Sequence, residues 1–579
     1  MKKVIAMCAM VALILAFSAV CVFSAYHHEG ESDSQHFLST YPNKAGTKLD
    51  QCTLCHSGGS YEGSKGTVTL GSCQWCHYSY GYDGLAGGSI ADTLNPYGMA
   101  YFLNGQDTDA IAAIENADSD EDGYTNITEI NANRYPGDAT DDPSKITAPF
   151  RVYTRAQLEA MSQHTQFLLM NTSRSGDFYA EYTGVPMKDL LDDAGILDSA
   201  TGILVYAPDG WSQYHPLEYD EDIEMYHVYG NMPDQDYQYP PSNYFYAIEA
   251  DQDVNVDYGW CDYSAPSCAG RNHGDLIYAE NGLKAILALK REGEDMDPGS
   301  LNDENKLDGE GPFRVVVPQK NPNAPDQSSK SNQQDVLWPY VYEWDHNAGA
   351  CTKSVTIIKV EPLPEGTTDI NILEAGWSYV DEEKIVIYGA IEGDSNGNGL
   401  VDSEEGTDTT ADHDGDGILD YQDTDTAKPQ SPGGEGQMIL HTTLGDFSDV
   451  DVLDDDDVSV SQTGKPAGIL FPYGVIDFMV TGLEKDATVT VTIVFPDAVP
   501  ETAVLYKVTD DGWNMIDFGS NDGDEIITVT LTDGDPLTDA DDTPGTITDP
   551  CALGLAEGGG GSSDDGGGNC FIETLSGGF

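Results

Sequence analysis

Basic residues are scarce in this 579-residue chain: 26 Lys plus Arg stand against 100 Asp plus Glu, a net charge of −74. That balance excludes nucleic acid and anionic lipid as partners, since both bind through phosphate contacts to cations. Cations and basic proteins fit it instead. Long apolar runs are absent after the first 22 residues, so no later segment reaches the length of a membrane-spanning helix. Histidine is also sparse. Only His27, His28, His36, His56 and His77 precede Gln163. The length exceeds what one core can bury, and several domains are expected.

Lys2 and Lys3, an apolar run from Val4 to about Val22, and the small residues Ser24 and Ala25 read as a secretory signal peptide over 1–25. An uncleaved anchor is the alternative. Cleavage removes Cys8 and Cys21 and leaves nine of the eleven cysteines. Export, to the cell surface, the extracellular space or the periplasm, follows.

Two C-x-x-C-H runs begin at positions 52 and 73: Cys52-Thr53-Leu54-Cys55-His56 and Cys73-Gln74-Trp75-Cys76-His77. Each offers two thiols for thioether bonds to a haem and an adjoining imidazole for its iron. A zinc knot of four thiolates, or two short disulfides, would explain the cysteines but not the His after each pair. Two covalent haem c groups over 26–116 are the reading. His27, His28 and His36 are the candidate sixth ligands, with Met99 a weaker one. The remaining Cys261, Cys268, Cys351, Cys551 and Cys570 are odd in number. Proximity makes Cys261–Cys268 the expected disulfide.

Calcium-type loops follow. Residues 118–129 match the EF-hand loop, with Asp118, Asp120 and Asp122 at positions 1, 3 and 5, Gly123 at 6, the Tyr124 carbonyl at 7 and Glu129 at 12. Helices are expected at 108–116 and 127–134, so that 117–142 forms a helix-loop-helix. A second pair fills 394–427. Asp394, Asn396, Asn398, the Leu400 carbonyl, Asp402 and Glu405 form one loop; Asp412, Asp414, Asp416, the Ile418 carbonyl, Asp420 and Asp423 form the next. The approach at 384–390 reads as a strand. This pair resembles the repeats of thrombospondin type 3 and dockerin modules, which implies structural binding at roughly 10⁻⁴–10⁻³ M. An acidic linker without metal is the alternative.

Asn95-Pro96-Tyr97-Gly98, followed by a helix and the calcium loop, resembles a family of exported cytochromes of metal- and sulfate-reducing bacteria. That resemblance implies electron transfer. From 146 to 390 the pattern reads as α+β: helices at 155–161, 187–194 and 283–290, strands at 203–207 and 311–318. With Gly184-Val185-Pro186 it resembles the molybdopterin-binding domain of sulfite-oxidase-type enzymes. That family places a Cys ligand before this segment; here Leu168 to Ser175 contains none, and Cys268-Ala269-Gly270-Arg271-Asn272 lies on the wrong side. A molybdopterin site therefore lacks its ligand, and the domain is read as non-catalytic.

Residues 428–436 read as a linker. Strands are expected at 468–471, 475–480, 488–494, 503–507 and 526–531, with strict alternation in Thr488 to Val494, giving an all-β sandwich over 437–556. Phe471-Pro472-Tyr473-Gly474, Tyr506-Lys507 and Gly545-Thr546-Ile547-Thr548-Asp549-Pro550 resemble the choice-of-anchor U domain of exported proteins. Cys570-Phe571-Ile572 after the Gly-rich stretch 557–568 resembles a Cys-Phe-Ile sorting box. Both imply surface display through export and sorting machinery, with membrane attachment only through C-terminal processing. The combined expectation is a multidomain protein: a small α-helical dihaem region with an EF-hand, an α+β middle domain, a calcium-loop linker and a β-sandwich. Its function is to carry electrons to redox proteins or extracellular acceptors. The alternatives are a molybdopterin-dependent oxidoreductase with a haem relay, and a calcium-dependent surface scaffold or adhesion protein.

Overall fold

The computed structural model describes residues 31–556 except 46, 58–59, 64–65, 70–87, 173–175, 209–210, 220–224, 231, 233–237, 243–260, 280, 302–306, 326–344, 371–375, 407–410, 415–417, 433, 435, 510–511 and 541–542. The proposed signal peptide, His27, His28, Cys73, Cys76, His77, Asp416 and Cys570 lie outside the described residues. Two compact units divide the chain, Met1–Ser395 and Asn396–Phe579.

Strand, not helix, dominates the described residues. The expected small α-helical haem region is corrected accordingly. Its helices are short, Glu31–Thr40, Pro96–Leu103, Thr108–Ile114 and Asn126–Asn131, and an antiparallel hairpin, Ser60–Gly63 with Gly66–Thr69, sits among them. Gly- and Ser-rich sequence cannot offset the cost of helix nucleation over longer stretches. The β-branched Thr67-Val68-Thr69 favours strand. The helices close on a small core of Phe37, Leu49, Leu54, Tyr97, Ile111 and Ile130.

The rest of the first unit is built on two five-stranded sheets, besides the two-stranded pairs Ser300–Leu301 with Leu307–Asp308 and Ile146–Thr147 with Thr367–Thr368. In one, Glu294–Asp295, Ile286–Arg291, Phe178–Pro186 and His164–Met170 run in that order, with Arg314–Val316 added to Ile286–Arg291. In the other the order is Phe150–Thr154, Lys384–Gly389, Ile357–Glu361, Gly202–Tyr206, Ser212–Pro216, with one parallel pair between Lys384–Gly389 and Ile357–Glu361. The helix expected at 283–290 is instead the central strand Ile286–Arg291, whose first four residues are all buried. A short continuous apolar run does not distinguish a buried strand from a helix. Gly184 is required beside it: a Cβ there would lie 2.0 Å from the Leu287 carbonyl oxygen. The helices Arg155–Ala160 and Met187–Asp193 form as their apolar spacing predicts.

The second unit is a β-sandwich. One sheet orders Thr426–Ala427, Ile439–Thr442, Thr488–Val494 and Ile526–Thr532. The other orders Asp446–Leu453, Val475–Thr481, Cys551–Ala556, Val504–Thr509 and Gly512–Ile516. Thr488–Val494 alternates exposed and buried as expected, placing Val489, Val491 and Ile493 in the core with Phe447 and Phe478. The stretch 428–436 is no free linker: Lys428 and Ser431 are buried, and the Met438 N–H bonds the Pro429 carbonyl at 2.9 Å. Among the described residues no helix is long and apolar enough to cross a membrane.

In the first unit Lys48 donates to Asp141 Oδ2 at 2.8 Å, with both side chains almost fully buried. The same carboxylate accepts from the Tyr135 N–H at 2.9 Å and from the Thr368 hydroxyl. Removing one partner of a buried ion pair strands the other charge. Lys48→Met is expected to cost about 3–5 kcal/mol of this unit's stability, read as a shift in the denaturant midpoint; an unchanged midpoint would show the pair to be dispensable.

Candidate functional site

The first C-x-x-C-H run folds into one tight turn. Cys52–Leu54 is a 3-10 turn, and both the Cys55 and His56 N–H groups bond the Cys52 carbonyl, at 3.1 and 2.9 Å. Cys52 and Cys55 are not bridged to each other by a disulfide. Burial pushes the Cys55 thiol up to about 12, so it is held protonated.

Asn95 fastens this turn. Its side-chain amide donates to the Thr53 and Leu54 carbonyls, both at 3.0 Å, and its backbone N–H bonds the Cys55 carbonyl at 2.9 Å. Its Oδ1 accepts from the Gly98 N–H at 2.8 Å and so caps the helix Pro96–Leu103. Gly98 lets that helix rest on the turn: a Cβ would lie 2.1 Å from the Cys55 carbonyl oxygen.

His56 is oriented by Thr93. Its Nδ1 lies 3.1 Å from Thr93 Oγ1, whose own proton goes to the Ile90 carbonyl at 2.7 Å. Nδ1 must therefore be the donor, which leaves the lone pair on Nε2. Burial lowers the imidazole to about 4, keeping it neutral. A neutral ring fixed at Nδ1 is the form in which histidine ligates a metal through Nε2. His36 is arranged in the same way: Nδ1 is 2.9 Å from the Tyr101 hydroxyl, which donates to Asp33 at 2.7 Å. Tyr101 and Asp33 both interact electrostatically with Cys55, so His36 belongs to the same neighbourhood. Of the three candidate sixth ligands, His36 alone lies in the described residues.

The 118–129 loop lies between Thr108–Ile114 and Asn126–Asn131, matching the expected helix-loop-helix with both helices shorter than predicted. Asp118 Oδ2 accepts from the Gly123 N–H at 3.0 Å, and Asp122 Oδ1 from the Tyr124 N–H at 2.7 Å. Gly123 has φ +102, open to glycine. Carboxylate oxygens of Asp118, Asp120 and Asp122 lie within 4.8 Å of one another. Glu129 is fully buried, and neither of its carboxylate oxygens has a hydrogen-bond partner; the same holds for both oxygens of Asp120. Burial, then the neighbouring aspartates, pushes Glu129 up to about 8 and Asp120 to about 6. Oxygen-only donors with orphaned buried lone pairs are the chemistry of a hard divalent cation.

The second loop pair is organised differently. Glu405, fully buried, accepts from the Asn396 amide at 3.0 Å, the Asn398 amide at 2.9 Å and the Lys428 N–H at 2.8 Å. Asn396, Asn398 and Glu405 are thus together, and the Leu400 N–H bonds Asn398 Oδ1 at 2.9 Å. Asp394 falls in the first unit, where its N–H bonds the Phe150 carbonyl at 2.9 Å. In the next loop Asp420 is taken by His413 at 2.6 Å and Lys428 at 3.3 Å. Asp423 accepts from the Asp425 N–H at 3.3 Å, and Ile418 is exposed. Asp414 meets Asp425 and His441, their ligand atoms within 4.8 Å of one another. Local spacing carries no signal for this trio, because His441 lies on the separate strand Ile439–Thr442.

In the middle region a cleft of about 470 Å³ is lined by Thr172, Arg291, Glu310, Arg314, Lys353 and others, with no cysteine among the described lining residues. Arg314 is buried and bonds Glu310 and the Tyr182 hydroxyl. Cys351 is buried, its thiol accepting from the Val317 N–H at 3.3 Å and raised by burial. The expected Cys261–Cys268 disulfide is absent; both are free thiols. Among the described residues this cleft offers no thiolate ligand for molybdenum.

No family model matches the chain, and no curated protein matches it. Among solved structures it is similar to the sulfane dehydrogenase SoxCD from Paracoccus pantotrophus at 10% identity and a TM-score of 0.17, over 66% of this chain. The chain spans 59% of the length of that structure's chain. At that score the likeness carries no argument about fold or activity.

Asn95→Ala removes two carbonyl contacts and a helix cap, a cost of about 1–3 kcal/mol for the groups left unsatisfied. It is expected to loosen the Cys52–His56 turn, seen as faster amide hydrogen exchange at residues 53–56; unchanged exchange there would show that the turn holds without it.

Proposed function

We propose that this protein is an exported c-type cytochrome that carries electrons, with calcium held in its loops as a structural ion. One observation carries the haem reading. Cys52, Cys55 and His56 lie in one turn with both thiols unbridged and with His56 Nε2 left as the lone-pair nitrogen by its bond to Thr93. A zinc knot or a disulfide pair would give His56 no such role. Bound there, a covalent haem would supply one-electron redox chemistry. The chain's own part is to hold both sulfurs in register, to orient His56 through Thr93, and to support the turn through Asn95 and Gly98. His36 supports a bis-histidine iron on the first haem, the ligation suited to electron transfer. The Cys73–His77 motif holds the second haem on the evidence of its sequence alone.

The unpartnered carboxylates of Glu129 and Asp120 support calcium at 118–129. The 394–427 loops are proposed as weaker structural sites. Display at the surface, through the signal peptide and C-terminal sorting motif, would place the haems near redox proteins or extracellular acceptors.

Expression in a host that matures c-type cytochromes should give two covalent haems per chain by pyridine haemochrome, falling to one in Cys52→Ser/Cys55→Ser. Purified protein without covalent haem would sink the reading, and a molar equivalent of molybdenum would replace it with an enzyme. Glu129→Gln should lower the calcium stoichiometry in titration calorimetry by one site; an unchanged stoichiometry would remove 118–129 from the calcium sites.

A further inference from the structure

The trio Asp414, Asp425 and His441 draws on three separate pieces of the second unit. Asp414 lies in the acidic loop that begins at Asp412. Asp425 closes the turn before the strand Thr426–Ala427. His441 lies on the neighbouring strand Ile439–Thr442, in the antiparallel register Thr426↔His441. Leu440 and Thr442 are buried and His441 alternates with them, so its ring lies on the face away from the core. Asp425, in a turn, is outside the alternation of the strand. The Thr442 N–H holds its carbonyl at 3.0 Å. Its carboxylate comes to His441, with Oδ1 3.1 Å from Nδ1.

This close approach is not a hydrogen bond. His441 Nδ1 is shielded from solvent and has no hydrogen-bond partner. Nitrogen and oxygen stand near each other without the alignment that a shared proton requires. Two donor atoms directed at a common third body fit that arrangement. Ligands held about 2.0–2.1 Å from one ion stand roughly 3.0–3.4 Å apart, from octahedral to tetrahedral geometry. The observed separation falls in that range. Asp414 completes the group with a carboxylate oxygen within 4.8 Å of both. It is exposed, so a turn of its side chain closes the remaining distance.

The nearby cations are engaged elsewhere. His413 Nδ1 and Lys428 Nζ both sit on Asp420, at 2.6 and 3.3 Å. Among the described residues the basic partner of Asp425 is His441, not a lysine or arginine. The Thr426 hydroxyl reaches Asp425 Oδ1 only at 3.4 Å. Donor chemistry also separates this trio from the loop 118–129. That loop offers carboxylate oxygens, which suit a hard cation. An imidazole nitrogen beside two carboxylates suits a borderline transition ion.

We infer that Asp414, Asp425 and His441 form a binding site for a divalent transition ion of the zinc type, held by His441 Nδ1 and one oxygen from each carboxylate. Three protein ligands leave a coordination position for water. The ion would tie the acidic loop and the turn to Ile439–Thr442, the strand next to the sheet's edge strand Thr426–Ala427. The role is structural and transfers neither protons nor electrons. It rests on neither the haem nor the calcium reading, although it draws Asp414 from a loop proposed for calcium.

Zinc titration of the matured full-length protein tests it, after stripping with a chelator and return to excess calcium. The calcium fills oxygen-only sites, so zinc alone is the probe. The wild type should take up one tightly bound equivalent. His441→Gln should weaken that equivalent by more than about tenfold and leave the calcium stoichiometry unchanged. Asp414→Asn, a change at an exposed side chain, should weaken zinc likewise and keeps the test valid if the strand variant misfolds. X-ray absorption at the zinc edge should show nitrogen and oxygen ligands at about 2.0–2.2 Å without sulfur. Equal zinc affinity in the wild type and both variants would overturn the site. So would a tight equivalent bound through sulfur, which places the ion on cysteines. Loss of calcium in His441→Gln with zinc uptake intact would make the trio part of a calcium loop and overturn it as well.

Discussion

The rest of the structure depends on a shortage of cations. With 26 basic side chains for 100 acidic ones, most carboxylates must stay in water, and each buried one needs a donor found for it. The few available are spent where burial is deepest: Lys48 on Asp141, Arg314 and Arg291 on Glu310, Lys428 on Asp420, Lys507 on Asp549. Glu405 is satisfied without a cation, by two asparagine amides and a backbone N–H. Glu129 is left with neither solution. A fully buried carboxylate facing three aspartates, with no hydrogen-bond donor, is what the proposed calcium would satisfy.

The same small core ties the calcium loop to the C-x-x-C-H turn. Leu54, Tyr97, Ile111, Ile114 and Ile130 belong to one cluster. Asn126, which opens the helix after the calcium loop, donates to the Ile114 carbonyl at 2.8 Å, closing the loop onto the preceding helix. Asn95 then holds the thiol-bearing turn from the other side of that cluster. A core of this size has little stability of its own. On the proposed reading, metal and haem each supply part of what the side chains cannot, and a change at one is felt at the other through Ile111 and Tyr97 and not through a separate domain interface.

What the sequence disclosed was local. The 118–129 loop was legible because its ligands are set by spacing within twelve residues, and Thr488–Val494 because period-two alternation needs no partner to be seen. The cysteine pair 52 and 55 was legible for the same reason. What escaped notice was made by the fold. The Leu283–Lys290 run reads equally as helix or strand until Phe178–Pro186 is laid beside it. Cys261 and Cys268 are near in sequence yet remain separate thiols. Asp425 and His441 meet Asp414 only through strand pairing, and Asn95 reveals itself as the staple of the cysteine turn only when its amide is seen on the Thr53 and Leu54 carbonyls.

The two buried lysine–aspartate pairs show how far identical residue types can diverge. Around Asp141 a Tyr135 N–H and a Thr368 hydroxyl join Lys48, so both carboxylate oxygens have protein donors. Around Asp549 the donors are fewer: Lys507 bonds Oδ1 at 2.7 Å, and the nearby Asp539 takes the Gly534 and Thr548 N–H groups for itself. An ion pair in such a place contributes little to stability, because desolvation cancels most of the attraction.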